Sequence, residues 1–178
     1  TTRNLLRVYA LQERLKSSAR DSDFQARHVH VIGAGVMGGD IAAWCAQRGL
    51  TVTLQDRSLA AIAPALQRAY ADWRRRIKDE RTRRQTMDRL IPDPDGWGVA
   101  RAEVIIEAIF EDLPAKRALL QNLEKRSSPN AILATNTSSL RLEDLQTALA
   151  HPERLIGIHF FNPVARMPLV EVVSTATS

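Results

Sequence analysis

The sequence predicts an α/β fold in which a mainly parallel sheet is covered by helices on both faces. Short apolar or β-branched runs alternate with longer helical patterns, and a glycine-rich turn joins the first run to the helix that follows it. Apolar residues make up 44% of the 178 residues, which is enough for a packed core. Such alternation is typical of parallel strands joined by crossover helices.

The predicted strands are short and rich in β-branched or other apolar residues, as buried strands are. They are His28–Gly33, Thr51–Gln55, Glu103–Ile106, Ile132–Ala134, Leu155–Phe160 and Leu169–Val173.

The predicted helices lie between these strands. They are Val36–Arg48, Leu59–Arg76, Lys78–Leu90, Leu113–Arg126 and Leu140–Ala150. Gly49 is a typical residue just after a helix, and Pro114 lies in a first turn, where proline is tolerated. Two helices follow the second strand without a strand between them, so we expect an inserted helical hairpin. The turn-rich stretch Pro92–Gly98 predicts a loop.

The amino-terminal part of the chain has a different pattern. Asn4–Ala19 is predicted to be a helix, because apolar residues recur at three- and four-residue spacing, and Asp21–Arg27 to be a polar linker. Thr1 is not a natural start, and the sequence after the last predicted strand contains no helical pattern. We therefore expect a piece of a longer chain, with residues 1–26 as an N-terminal linker helix and residues 27–178 as the main domain.

Composition and charge exclude several classes of protein. Lys and Arg number 25 against 20 Asp and Glu, a net charge of +5 that allows an anionic partner but does not indicate nucleic acid. The single cysteine, Cys45, excludes an intrachain disulfide framework and favours a reducing, cytoplasmic setting. No apolar run reaches the roughly 18 to 20 residues that span a bilayer. No cluster of His, Cys and carboxylates has the spacing of a metal site.

The glycine-rich turn is the sharpest local motif. Gly33-Ala34-Gly35-Val36-Met37-Gly38 lies between a predicted strand and a predicted helix, which is the context that a dinucleotide-binding loop requires. Gly33 would allow the tight turn, Gly35 the approach of a pyrophosphate, and Gly38 close packing of helix on strand. The fold is therefore predicted to be a Rossmann-like, doubly wound sheet.

Asp56 ends the second predicted strand, 18 residues after Gly38. A carboxylate there can accept hydrogen bonds from the adenine ribose and would repel a 2′-phosphate, so it favours NAD over NADP. The adjacent Arg57 weakens that preference. The alternative is a simple glycine turn followed by a solvated aspartate.

His159 and Glu171 form a candidate catalytic pair. His159 lies at the carboxyl end of a predicted strand, where ligands bind in such sheets, and its ordinary pKa near 6.5 suits a general base. Glu171 lies on the next apolar run, and its carboxylate could accept a hydrogen bond from the second ring nitrogen of His159. The alternatives are a buried histidine satisfied by backbone groups and a surface carboxylate on an edge strand.

Four segments resemble the NAD-binding domain of 3-hydroxyacyl-CoA dehydrogenases, over about Arg27–Val173. They are VIGAGVMGGDIA, IIEAIFED, ATNTSSL and GIHFFNPVARMPLVEVV. The amino-terminal NLLRVYALQERLK is similar to the linker helix of multifunctional fatty-acid oxidation proteins, which implies a fragment cut from such a chain of the bacterial type. The resemblance implies NAD-dependent oxidation of L-3-hydroxyacyl-CoA to 3-oxoacyl-CoA in fatty-acid β-oxidation.

The resemblance also implies residue roles. His159 is the catalytic base and Glu171 its partner, while Ser138 contacts both substrate and cofactor. The other cofactor positions are the Met37 backbone at the pyrophosphate, Glu111 and Asn162 at the nicotinamide ribose, and Lys116 near the cofactor or substrate. Glu107 is a family position that we interpret as structural. The alternatives are a helix cap for the Ser138 run, a helix-start Glu111 and a solvated Lys116.

The resemblance implies partners beyond the 3-hydroxyacyl-CoA substrate. An enoyl-CoA hydratase-like domain would precede this chain and a helical domain would follow it, so we expect NAD binding with little turnover from the chain alone. A homo-oligomer is allowed. The basic run from Arg74 to Arg84 is either a solvated face or a coenzyme A contact. Nucleic acid is disfavoured as its ligand, since only Trp73 is available there to stack on bases. Two rivals are a lysine-using β-hydroxyacid-type dehydrogenase and a non-catalytic dinucleotide-binding module.

Overall fold

The computed structural model describes residues 24–167 and 169–178. Within them lies one seven-stranded sheet with the strand order β3-β2-β1-β4-β5-β6-β7. The strands are β1 His28–Ile32, β2 Thr51–Gln55, β3 Leu90–Pro92, β4 Val104–Glu107, β5 Ile132–Thr135, β6 Leu155–Phe160 and β7 Val170–Val173. Every neighbouring pair is parallel except β6 and β7, so the predicted mainly parallel α/β fold is confirmed. The predicted helix Asn4–Ala19 lies outside the described residues.

Five α-helices lie between the strands in the described part of the chain, and several begin at side-chain caps. They are α1 Val36–Gln47, α2 Leu59–Arg76, α3 Glu80–Asp88, α4 Leu113–Arg126 and α5 Leu142–Gln146. The side chains of Ser58, Asp79 and Asp112 accept hydrogen bonds from backbone N–H groups in the first turns of α2, α3 and α4. Such caps satisfy donors that have no partner within the helix.

Two predicted helices are shorter in the structure. The helix predicted over Lys78–Leu90 is only α3, and Leu90 instead begins the edge strand β3, which pairs with β2. An edge strand tolerates Pro92, because its outer side needs no hydrogen-bond partner. The helix predicted over Leu140–Ala150 is only α5, because the chain tightens after Gln146 into turns closed by hydrogen bonds three residues apart.

Helices cover both faces of the sheet, as the doubly wound prediction requires. One core packs α1 and α2 on the sheet and includes Ile41, Leu54, Ile62, Trp73 and Phe160. The other core packs α4 and α5 on the opposite face and includes Ile105, Leu120, Leu133, Leu145 and Leu155. The side chains in both cores are almost fully shielded from solvent.

The order of the strands creates a crevice at one end of the sheet. β1 lies between β2 and β4, so the chain winds away from β1 in both directions. Ligands of open α/β sheets bind at this switch point, outside the carboxyl ends of the strands. The antiparallel pairing of β6 with β7 places His159 directly opposite Glu171.

Candidate functional site

The glycine loop joins β1 to α1 in a tight turn. Gly33 has a φ of +98°, and its N–H donates to the Gln55 carbonyl at 2.9 Å. A Cβ at Gly38 would overlap the Gly33 carbonyl oxygen, so α1 lies as close to the turn as a glycine allows. This geometry agrees with the turning and packing roles expected of Gly33 and Gly38.

The first turn of α1 faces open space. Gly35 is the N-cap residue and contributes no side chain, and a Cβ built there would meet nothing within 4 Å. The N–H groups that begin a helix have no partner within it, and they carry the positive end of the helix dipole. The residues present therefore fit a pyrophosphate at Gly35 and Met37.

Asp56 lies beside the glycine loop at the end of β2. One carboxylate oxygen accepts a hydrogen bond from the Ala34 N–H at 2.8 Å, and the other accepts from the Arg57 N–H at 2.7 Å. These bonds fix the carboxylate next to the loop. The Arg57 side chain is 96% exposed, but its Nε lies 3.9 Å from an Asp56 oxygen, so its charge stays next to this carboxylate.

A cleft of about 460 Å³ continues from the glycine loop across the carboxyl ends of β4, β5 and β6. It brings together six of the predicted site residues: Gly35, Met37, Glu111, Ser138, His159 and Asn162. A larger cleft of about 680 Å³ lies at the amino ends of β5 and β6, and its lining contains no predicted site residue. The site is therefore identified by the side chains that line the smaller cleft and not by the volume of the cleft.

His159 and Glu171 face each other across β6 and β7. The His159 Nδ1 lies 3.3 Å from a Glu171 oxygen, and the two side chains are 31% and 54% exposed. The Phe161 ring lies edge-on to the imidazole, with 4.6 Å between ring centroids. With the proton on Nδ1 and donated to Glu171, the other nitrogen, Nε2, is an acceptor. The pair thus has the geometry of a base and its orienting carboxylate.

Glu111 organises the loop after β5. Its carboxylate accepts hydrogen bonds from the Thr137 hydroxyl at 2.8 Å and from the Ser138 N–H at 2.7 Å. Partial burial opposes ionisation of Glu111, but these hydrogen bonds and the nearby charge of Lys116 outweigh it, so its pKa is lowered. Thr137 also accepts from the Leu140 N–H at 3.0 Å, but α5 begins only at Leu142 with Arg141 as its N-cap residue, so this bond closes a turn and does not cap the helix.

Lys116 lies behind Glu111 rather than in the cleft. Its side chain and that of Glu107 are both 0% exposed, and its Nζ donates to Glu107 at 2.6 Å. The solvated alternative for Lys116 is wrong. Its expected position near the cofactor or substrate stays a prediction, since the same Nζ lies 3.8 Å from an oxygen of Glu111, which lines the cleft. The other Glu107 oxygen accepts from the Thr135 hydroxyl at 2.7 Å, which supports the structural interpretation of Glu107.

Asn136 is a cleft residue that was not among the predicted cofactor-binding residues. It follows β5, lines the cleft, and accepts a hydrogen bond from the Phe160 N–H at 3.1 Å. The signal was its place in the ATNTSSL run at the end of a strand.

The described residues contain no group of three or more His, Cys, Asp or Glu side chains that could hold a metal ion. None of the helices in that part of the chain is both long and apolar enough to cross a membrane. Burial raises the pKa of the Cys45 thiol to about 11, which makes it a packing residue rather than a nucleophile.

A doubly wound sheet with a glycine loop at its switch point defines a dinucleotide-binding domain. Residues 28–178 match the family model described as 3-hydroxyacyl-CoA dehydrogenase, NAD binding domain. The chain belongs to this family, and its cofactor is NAD.

Several proteins that the chain is similar to are described as dehydrogenases of hydroxyacyl-CoA compounds or of multifunctional enzymes. It is 40% identical over 150 residues to the 3-hydroxyadipyl-CoA dehydrogenase of Escherichia coli (strain K12), a match that covers 82% of this chain and 32% of that protein. The crystal structure of 3-hydroxybutyryl-CoA dehydrogenase from Escherichia coli K12 superposes with a TM-score of 0.84 at 38% identity, covering 87% of this chain and 34% of that one. The dehydrogenase part of multifunctional enzyme 1 from C. elegans superposes with a TM-score of 0.78 at 29% identity, covering 87% of this chain and 36% of that one. The chain thus spans about a third of the length of these relatives.

Proposed function

We propose that this chain is the NAD-binding part of an enzyme that oxidises L-3-hydroxyacyl-CoA to 3-oxoacyl-CoA in fatty-acid β-oxidation. The observation that carries the proposal is the His159–Glu171 pair, 3.3 Å apart, at the end of a cleft that begins at the glycine loop. The relatives named for 3-hydroxyadipyl-CoA and 3-hydroxybutyryl-CoA support this substrate class.

NAD, when bound, supplies the acceptor for a hydride. The chain's own residues bind and orient the substrate and the cofactor, and they move the proton. His159 takes the proton of the substrate hydroxyl on Nε2, and Glu171 stabilises the resulting imidazolium through Nδ1. The Ser138 hydroxyl contacts both the substrate and the cofactor, while Glu111 and Asn162 hold the nicotinamide ribose. Asp56 receives the adenine ribose.

The basic helical hairpin is proposed to attract the phosphates of coenzyme A. Arg74, Arg83 and Arg84 line a groove of about 400 Å³ between α2 and α3. Arg84 lies 3.5 Å from Glu80, and Arg75 and Arg76 pair with Asp72 on their own helix, so these three belong to the solvated, ion-paired face and Arg74 and Arg83 remain for the groove. The charges facing the groove are the ones available to an anionic ligand.

The complete protein is proposed to be cytoplasmic and to contain more than this chain. Residues 1–26 would link a hydratase-like domain to the dehydrogenase domain at 27–178, and a helical domain would close over the acyl chain. The chain alone would then bind NAD with little turnover. The dehydrogenase part of a multifunctional enzyme among the similar structures supports this organisation.

The rival lysine-using dehydrogenase is disfavoured by the cleft itself, because no lysine lies among the described residues that line it. Lys116 is held by Glu107 behind the cleft. A non-catalytic dinucleotide-binding module would not need the His159–Glu171 pair.

Substitution of His159 in the complete protein tests the proposal. We expect His159→Gln to lower kcat by a factor of about 10² to 10⁴, the usual contribution of a general base, with NAD affinity unchanged. The matched control is His151→Gln, since His151 is exposed and pairs with Glu153 near the amino end of β6. Steady-state kinetics with a 3-hydroxyacyl-CoA and a binding titration with NAD are the measurements. Normal turnover of His159→Gln would contradict the mechanism, and a wild-type protein without turnover would favour the non-catalytic module.

A further inference from the structure

Asn136 is fixed between two strands at the floor of the cleft. Its backbone N–H donates to the Glu107 carbonyl at 2.8 Å, which continues the β4–β5 ladder by one residue. Its side-chain Oδ1 accepts from the Phe160 N–H at 3.1 Å, at the end of β6. The residue therefore holds the end of β6 in place directly beside His159.

These contacts determine which way the amide group faces. A backbone N–H can only donate, so the side-chain atom that meets Phe160 must be the oxygen, and the amide orientation is settled. No described residue accepts a hydrogen bond from the Asn136 Nδ2. The residue lines the same cleft as Glu111, Ser138 and His159. Two donor N–H bonds are thus available at that position.

We propose that Asn136 is a cofactor-binding residue whose Nδ2 donates to an oxygen of the nicotinamide half of NAD. This inference rests on the proposed binding of NAD across the crevice. Asp56 follows β2 and the glycine loop follows β1, so a dinucleotide held there extends over β4 towards β5. Asn136 follows β5, before His159 on β6, at the place where the nicotinamide half arrives. The carboxamide and ribose oxygens of that half are acceptors for such a donor.

Asn136 could instead serve only to hold Phe160, and one substitution separates the two roles. Asn136→Asp keeps the shape and an acceptor for the Phe160 N–H but has no N–H to donate. A purely structural residue tolerates this change. A cofactor-binding residue does not, because the ligand oxygen then meets a carboxylate instead of a donor.

Calorimetric titration of the chain with NAD and with AMP tests the inference. We expect Asn136→Asp to bind NAD about tenfold more weakly, equivalent to one lost hydrogen bond, and to bind AMP as the wild type does. AMP contains only the adenosine half and therefore does not reach Asn136. The matched control is Asn130→Asp, which introduces the same charge at an exposed position before β5 and should change neither affinity.

Several outcomes would overturn the inference. They are unchanged NAD affinity of Asn136→Asp, and an equal loss for NAD and AMP, which would indicate a general charge effect. If Asn136→Asp melts below the wild type, Asn136→Ser replaces it, and the same loss specific to NAD is required. A wild-type chain that binds AMP but not NAD also overturns it, whereas failure to bind either ligand contradicts the proposed cofactor site itself.

Discussion

The buried Lys116–Glu107 pair shows how single residues support the cleft from behind. Lys116 donates to Glu107 and to the Ile109 carbonyl, and it lies 3.8 Å from a Glu111 oxygen. Glu111 in turn holds the Thr137 and Ser138 turn. A charge removed from this interior would leave its partner without compensation, which is far more costly than loss of a surface ion pair.

We expect Lys116→Met to lower the free energy of unfolding by about 3 to 5 kcal/mol, because Glu107 is then a buried, unpaired charge. The double variant Glu107→Gln/Lys116→Met should recover much of that loss, since neither side chain is then charged. Urea unfolding of the chain measures both. Lys125→Met, on the exposed end of α4, is the control and should be nearly neutral. A Lys116→Met chain as stable as the wild type would contradict this account.

The sequence contained a signal for the burial of Lys116. Lys116, Leu120 and Leu123 recur at helical spacing, and all three are buried on one face of α4. Sequence reasoning predicted His159 at the carboxyl end of a strand and Glu171 on the next apolar run, but not their register. The 12 residues between them allow many geometries, and only the antiparallel pairing of β6 with β7 brings them opposite each other.

A chain of polar side chains crosses β1 and β2 away from the cleft. His28 Nε2 lies 2.8 Å and His30 Nδ1 2.7 Å from the Thr53 hydroxyl oxygen, and His30 Nε2 lies 2.9 Å from the Gln55 Oε1. The glutamine oxygen can only accept, so His30 Nε2 is the donor. When His30 is neutral, its Nδ1 accepts from the Thr53 hydroxyl, and the Thr53 oxygen accepts from His28 Nε2.

His28 and His30 make the stability of the fold depend on pH. Burial lowers the pKa of His28 and of His30 from the ordinary value of 6.5. Below about pH 6.5 the unfolded chain therefore binds protons that the folded chain does not, and stability is lost as pH falls. Above that pH both states are neutral at these positions, and the stabilisation is complete.

We expect the chain to lose stability between pH 7.5 and pH 5.5, and His30→Gln to lose less over the same interval. Unfolding in urea at the two pH values is the measurement. His151→Gln removes an exposed histidine and should keep the wild-type pH dependence. Identical pH dependence of His30→Gln and the wild type would show that His30 titrates normally.

Elements with clear periodicity could be predicted from sequence, whereas short edge elements could not. The bounds of β2, β6, α2 and α4 agree with the prediction, because apolar patterns and flanking caps or prolines define them. The strand β3 was missed because its three residues follow a strongly basic helix and end in Pro92. Only pairing with β2 makes this segment a strand, and that contact is not local in sequence.

At the scale of the whole molecule, the site depends on the convergence of several strand ends. The glycine loop follows β1, Asp56 follows β2, Glu111 follows β4, Ser138 follows β5, and His159 lies in β6. Each motif was visible in the sequence. Their assembly into one cleft of about 460 Å³ follows from the strand order, which the sequence patterns did not determine.

The central claim is that the chain is an NAD-binding domain and that Asp56 makes it prefer NAD to NADP. Calorimetric titration of the chain with NAD and NADP tests it most directly. We expect NAD to bind, NADP to bind at least about tenfold more weakly because Asp56 repels the 2′-phosphate, and Asp56→Asn to narrow that difference. Equal affinity for NAD and NADP, or no binding of NAD by a folded chain, would contradict the account.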